Sequence, residues 1–450
     1  MANSNLDSQF VKMTESKIEP LVLKLAVPSI ISMLVSSLYN MADTFFVGQV
    51  GTSATAAVGV SFTLMAMIQA IGFFFGHGSG NYISRAMGNK EYSKATTMAS
   101  VGFYSAVAVG VLITVLGLIF LKPLAVFMGS TKTILPHACE YMKYILLAAP
   151  FMTGSFVLNN QLRFQGRAMY SMIGITAGGV LNILLDPLFI FAFDMKVAGA
   201  ALATMISQGV SFVILIIMAS KKGIGIDFHK LTVKGYYYKE IFRGGIPSLA
   251  RQGCGSLSTL CLNNVAAGYS DAAVAAVSIV SKLMLFAMSA LIGYGQGFQP
   301  VCGVNYGAGN YNRVKKAYWF CVKTATVVQI IFAVTGFVFA PKIIPLFRDD
   351  PAVINIGSIV LRWQCITFPF SGFNVLSNMM AQTIGKAVKA TVLALSRQFL
   401  FFVPSIFILN EVFGLQGLEA AQTSADICAL IVCIPITASL LKEMKSSQSE

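Results

Sequence analysis

Residues 28–43 read PSIISMLVSSLYNMAD and lie inside an apolar run from Leu21 to Val47. A run of about 25 apolar residues is long enough to cross a bilayer as a helix. Two residues stand out in it. Pro28 has no N–H for the helical ladder. Asp43 is a carboxylate, and an ionised Asp deep in a membrane helix costs roughly 2.5–3.5 kcal/mol on insertion scales. Such a group is kept for a task or is neutralised, so the reading of the chain turns on what Asp43 faces.

The remaining sequence has the same character. Hydrophobic residues make up 56% of the 450 and charged residues only 11%, against about 25% charged in soluble domains. This defines an all-α polytopic membrane protein. Apolar windows predict twelve spans, near 22–47, 54–84, 96–121, 135–160, 169–193, 198–219, 241–268, 273–303, 317–340, 352–380, 389–410 and 416–441. The second, eighth and tenth exceed what a bilayer needs and predict tilt or protrusion into water. The net charge of +14 does not point to nucleic acid, because the cations sit in short alternate loops. One side holds Arg85, Lys90, Lys94, Arg163, Arg167, Lys221, Lys222, Lys386 and Lys389; the other holds few. The positive-inside rule then places both termini in the cytoplasm of a multi-pass cell-membrane protein. The first 20 residues are polar and lack the pattern of a cleaved signal. The eight cysteines fall mostly in apolar runs with no CxxC spacing and read as small buried hydrophobes.

The chain repeats. AVPSIIS around Pro28 answers GIPSLAR around Pro247, ATAAVGV (54–60) answers AVAAVSI (273–279), and FGHGSG (75–80) answers YGQGFQ (294–299). MGNKEYSKA (87–95) resembles AGNYNRVKKA (308–317) after a one-residue slip, and QGRA (165–168) answers IGKA (384–387). Units of six spans share one orientation, which predicts two six-helix bundles, residues 1–225 and 226–450, related by an axis along the membrane normal. Between them, the basic and aromatic stretch 220–240 reads as a linker on the anionic membrane surface. Gly76, Gly78 and Gly80, like Gly293, Gly295 and Gly297, follow one another too closely for a GxxxG dimer face and predict tight packing, with a gating hinge as the alternative.

Counting about 1.5 Å per residue gives depth. Asp43, Asn182, Asp186 and Thr204 then fall in one layer of the outer half of the first bundle, with Gln208 one turn below Thr204. Two carboxylates with amide and hydroxyl oxygens suit a proton or a hard monovalent cation such as Na+. Alternatively, Asn182 and Asp186 satisfy backbone freed by Pro187, and Asp43 marks a helix end. The second half lacks these acids. It carries Arg251 and Lys282, which could meet an anionic group, snorkel or bind helix carbonyls. Asp426 and Glu419 could pair with Arg397. No Walker A motif, HExxH or Ser-His-Asp set is present, and the three histidines are far apart. No cofactor or resident metal is expected.

Together, PSIISMLVSSLYNMADTFFVGQVG, YISRAMGNKEYSKA, LRFQGRA and NILLDPLFIF followed by GAALAT resemble the multidrug and toxic compound extrusion (MATE) antiporters over nearly the whole chain. The resemblance implies two six-helix bundles in a V. It also implies export of small amphiphilic, mostly cationic compounds in exchange for protons or sodium, by a monomer and without enzymatic chemistry. By the same resemblance, Asp43 matches the acid of the first helix and Pro28 a proposed bending point. Asn182 and Asp186 match an Asn-x-x-x-Asp in span five, Thr204 a hydroxyl in span six, and Asn159 a polar position in span four. Acids that some members carry in spans seven and ten are missing. A flippase for lipid-linked or anionic substrates is the nearest alternative, favoured by Arg251 and Lys282. A membrane transferase would need a His or Asp cluster at the cytoplasmic edge, which the sequence lacks.

Overall fold

A computed structural model describes residues 2–221 and 223–446; Lys222 lies outside them. The described chain is helical: α1 (Ala2–Glu15), α2 (Ile18–Gly48), α3 (Thr52–Gly88), α4 (Tyr92–Ile119), α5 (Leu121–Phe127), α6 (Leu135–Phe164), α7 (Ala168–Pro187), α8 (Lys196–Ser220), α9 (Gly235–Ala267), α10 (Asp271–Gly307), α11 (Tyr311–Ile343), α12 (Pro351–Thr383), α13 (Ala387–Leu395), α14 (Phe402–Phe413) and α15 (Leu415–Ser446). A π-helical turn, Leu188–Ala192, extends α7, and another, Ser396–Leu400, joins α13 to α14. Among the described residues, eleven helical spans are long and apolar enough to cross a membrane. The expected seventh span, α9, has the length at 33 residues but not the apolarity. It carries Arg243, Arg251, Gln252, Asn263 and Asn264.

The first bundle comprises α2–α8 and the second α9–α15. They meet along a seam of α2 on α10 and α3 on α9. The closest approaches cluster near the basic loops: Gly297 against Ala26, Gly293 against Ile30, Gly78 against Ile241, Gly303 against Ser84 and Gly307 against Arg85. Towards the other end they reach the Ser37–Ser289 hydroxyl contact at 2.9 Å. The bundles thus converge at the basic end, as the arms of a V. Here the glycine spacing is corrected. Gly76 and Gly80 are four apart and face Asn160 and Phe164 of their own bundle, while Gly78 between them faces α9. Gly293 and Gly297, also four apart, face α2, and Gly295 faces Met379. Residues four apart share a helix face, so each helix presents alternate glycines to both neighbours.

The repeat holds at one constant displacement. Gly166 (φ +74°) and Gly385 (φ +84°) end equivalent helices, and Lys90 (φ +59°) stands where the second half has Gly309 (φ +73°). The slip read between MGNKEYSKA and AGNYNRVKKA is therefore unnecessary: both turns need a left-handed residue at the same place. The Asn159 amide donates to the Ser171 carbonyl at 3.4 Å, and its counterpart Asn378 donates to the Ala390 carbonyl at 2.6 Å.

At the basic end, Arg85 of α3 crosses the seam. It donates to the Thr383 carbonyl at 2.7 Å and to Glu240 at 3.0 Å, and Glu240 also holds Arg243 at 2.9 Å. Glu240→Gln would leave a half-buried guanidinium without its counter-charge and weaken this closure by about 2–3 kcal/mol. The expected readouts are a lower apparent melting temperature and faster thiol labelling of a cysteine at Ser84. The linker also departs from expectation. Its start does not lie free on the membrane: the Gln165 amide brackets Ile224, donating to its carbonyl at 3.0 Å and accepting from its N–H at 3.1 Å. Asp227 N–H donates to Ser100 at 2.9 Å. Backbone polar groups near an apolar face need such partners. The eight cysteines are free, four of them buried.

Candidate ion-coupling site

Helices α2, α6, α7 and α8 deliver five polar side chains to one place in the first bundle. Asn182 and Asp186 sit one turn apart on α7, and both are buried. The Asn182 amide donates to Asp186 at 3.5 Å and to the Thr204 hydroxyl of α8 at 3.3 Å. The Tyr141 hydroxyl of α6 donates to Asp43 of α2 at 3.4 Å. Tyr141 is close enough to feel the charges of both acids, and the two acids feel each other. The walls are apolar: Val47, Met65, Ile190, Val197 and Ala201 belong to the cluster that encloses Tyr141.

Asp43 is 4% exposed and Asp186 is not exposed at all. Among the described residues, neither joins an ion pair. One oxygen of each, Asp43 Oδ1 and Asp186 Oδ2, has no hydrogen-bond donor, and neither does Asn182 Oδ1. Buried acceptors without donors are costly, and a proton or small cation would satisfy them. The donor set is all oxygen, as hard monovalent ions require. The alternative in which Asn182 and Asp186 serve the backbone freed by Pro187 is not what the geometry shows, since their hydrogen bonds run to side chains. Instead the chain beyond Pro187 relaxes into the π-helical turn, a common accompaniment of functional positions.

Other expected residues lie elsewhere. Asn159 is on α6, about 27 Å along the helix from Tyr141, and its amide ties α6 to Ser171 of α7, with the Ser171 hydroxyl at 2.6 Å. Its counterpart in the second bundle makes the same tie, so Asn159 serves the framework. Gln208 is half-buried one turn from Thr204. Lys282 is exposed on α10. Arg251 is half-buried on α9 and donates to Asn378 at 3.4 Å. Pro28 is buried within α2, which continues through it unbroken. In the second bundle Asp426 does pair with Arg397, at 2.8 Å, and also accepts from Gln422 at 2.9 Å and Thr367 at 3.2 Å. Glu419 does not join that pair. Tyr141 escaped the sequence reading. Its only signal was one phenol six residues into a span, at the depth of the acids. Tyr141→Phe removes a long hydrogen bond to a charged group and should weaken apparent ion affinity by about 1 kcal/mol, roughly fivefold, as read from the ion dependence of transport.

Comparison with known proteins agrees with this architecture. The MatE family model matches residues 28–188 and 247–408, one copy in each half. The multidrug export protein MepA of Staphylococcus aureus (strain MRSA252) is 29% identical over 428 residues, covering 94% of each chain. A MATE crystal structure in complex with MaL6 superposes with a TM-score of 0.92 at 26% identity, covering 97% of this chain and 99% of that one. An outward-facing multidrug resistance MATE transporter of the MOP superfamily superposes with a TM-score of 0.92 at 25% identity, covering 97% and 98%. With the family model on both halves and the fold matched end to end, the chain belongs to the MATE family and is a membrane transporter, not an enzyme.

Proposed function

We propose that this protein exports small amphiphilic, mostly cationic compounds across the cell membrane in exchange for protons or sodium ions, by alternating access. The observation that carries the reading is the pair of buried acids, Asp43 and Asp186, each with one oxygen lacking a donor and neither facing a cation of the protein. An ion arriving from outside binds there and makes up the missing contacts. Cargo leaves, the bundles rock about the seam, and the ion is released inside.

The seam is closed at the basic end, which the charge rule assigns to the cytoplasm along with both termini. The conformation is then outward-open, in keeping with the likeness to an outward-facing relative. The name of the MepA relatives supports a multidrug cargo. All five side chains come from one chain, so a single copy suffices as the working unit.

The test uses purified protein in vesicles with ethidium as cargo. A proton gradient and a sodium gradient are imposed separately. Transport of ethidium against its concentration under one of the two is the expected result. Ethidium movement indifferent to both gradients would overturn the reading.

A further inference from the structure

A groove of about 270 Å³ opens on the surface of the second bundle, between α11 and α12. Its walls include Ala333, Val334 and Phe337 of α11 and Cys365, Ile366 and Pro369 of α12. Val334, Phe337 and Ile366 are exposed, as are Ile331 and Val338 beside them on α11. An exposed apolar face on a spanning helix meets lipid.

The matching place in the first bundle is filled. At the constant displacement of the repeat, Gly336 and Cys365 correspond to Gly117 and Leu146, and Ala333 to Thr114. Leu146 is fully buried and lies over Gly117, where an added methyl would stand 2.3 Å from Leu146 Cδ2. The Thr114 hydroxyl donates to the Leu146 carbonyl at 2.6 Å, the carbonyl that Pro150 leaves without its helical donor. The second bundle keeps the proline, as Pro369, but has Ala333 in place of the hydroxyl. Cysteine for leucine and alanine for threonine remove the atoms that would close the crevice.

One end of the groove is charged. Arg362 precedes Ile366 by one turn of α12, on the side away from the basic loops. Its Nε donates to the Phe337 carbonyl at 3.2 Å, and its guanidinium lies 5.7 Å from the Phe337 ring centroid. That carbonyl is the one left without a helical donor by Pro341, inside α11. The bond uses Nε alone and fixes the group at the mouth of the groove. Among the described residues, Nη1 and Nη2 have no acceptor and Arg362 joins no ion pair. A cation within an apolar span is expensive without a counter-charge, and here the protein supplies none.

We propose that this groove binds an anionic phospholipid of the leaflet opposite the basic loops, with its phosphate on Arg362 and an acyl chain between α11 and α12. The directions agree. From Arg362 to Pro369 the groove runs about 10 Å towards the middle of the span, the course of an acyl chain below its headgroup. Lipid tails are as apolar as the groove, so the tail gains packing but no selectivity. The choice of headgroup falls to the guanidinium, which pairs with phosphate through its free fork. A zwitterionic headgroup brings its own cation to the same place and is held less well. The site is read by lipid binding without any gradient, so it stands or falls separately from the proposed ion exchange.

The experiment places the full chain in phosphatidylcholine nanodiscs. These contain a trace of phosphatidylglycerol or of phosphatidylcholine with a diazirine in its acyl chain. After illumination, cross-links are mapped by peptide mass spectrometry. Residues 330–338 and 362–369 should be labelled roughly fivefold more by the phosphatidylglycerol probe than by the phosphatidylcholine probe. Arg362→Gln should equalise the two probes. Cys365→Leu, which copies Leu146, should lower labelling of the groove by both, while labelling near the basic loops stays the same. Three results would each overturn the proposal: equal labelling of the unaltered groove by both probes, a preference that persists in Arg362→Gln, or undiminished groove labelling in Cys365→Leu.

Discussion

Asp186→Asn should abolish gradient-driven efflux while leaving the protein folded. The substitution keeps the shape and removes the charge. Among the described residues, Asp186 has only Asn182 as a side chain at hydrogen-bond distance, and its second oxygen is free to hold an ion. An amide can neither take up a proton nor offer a formal charge to sodium. Losing one charged ligand costs about 3 kcal/mol, roughly 10² in ion affinity. Asp43→Asn should behave alike. If both acids hold one ion, the double variant should be no worse than either single, because residues acting as a unit are not additive. Stability should be unchanged or raised, since a buried charge without a protein counter-ion disappears. Efflux in vesicles and the apparent melting temperature check both halves of the expectation. Near-normal coupled transport in either single variant would refute the assigned roles.

Gly78→Ala and Gly297→Ala should each shift the protein away from the closed basic end. A methyl group on Gly78 would stand 2.4 Å from the Ile241 carbonyl oxygen, and one on Gly297 would stand 2.5 Å from Ala26 Cα. Both obstacles are backbone, so no side chain can rotate away. Overpacking of this kind costs about 1–3 kcal/mol, which changes the ratio of closed to open seam roughly 5- to 150-fold. Spin labels at the exposed Lys94 and Lys316 should report a longer distance in both variants. Gly253→Ala is the control, because nothing lies within 4 Å of its added methyl. Distances that match the unaltered protein in both seam variants would show that the seam accommodates the methyl without opening.

The acids could be located from sequence because membrane helices are regular. Depth follows from counting along α2, α7 and α8, so Asp43, Asn182, Asp186 and Thr204 fell in one layer before any contact was known. Counting gives height but not bearing. That is why Tyr141, at the right height on α6, could not be assigned, and why Asn159 on the same helix was credited with more than a framework tie. Arg163 was misjudged for a different reason. It sits near a turn, where cations are ordinarily solvated, but α6 continues to Phe164 and the guanidinium is buried against Asn160 and His77 of its own bundle. The pairing of Asp426 with Arg397 was legible because opposite charges in two apolar spans have few other ways to be accommodated. The glycine faces were misread by spacing adjacent glycines instead of alternate ones. On α9, Gly244 and Gly245 meet α3 of the other half and Glu240 meets Arg85, contacts that its sequence alone does not show.

The carboxylate of Asp426 differs in kind from the two in the first bundle. It is clamped by a guanidinium, an amide and a hydroxyl drawn from three helical segments. A fully satisfied polar knot of this sort stiffens the elements it joins. The two halves of the repeat thus hold their buried carboxylates unequally, one saturated with donors and the other with vacant acceptors. Amide hydrogens around Asp426 should accordingly outlast those around Asp43 in deuterated solvent, whichever ion is present.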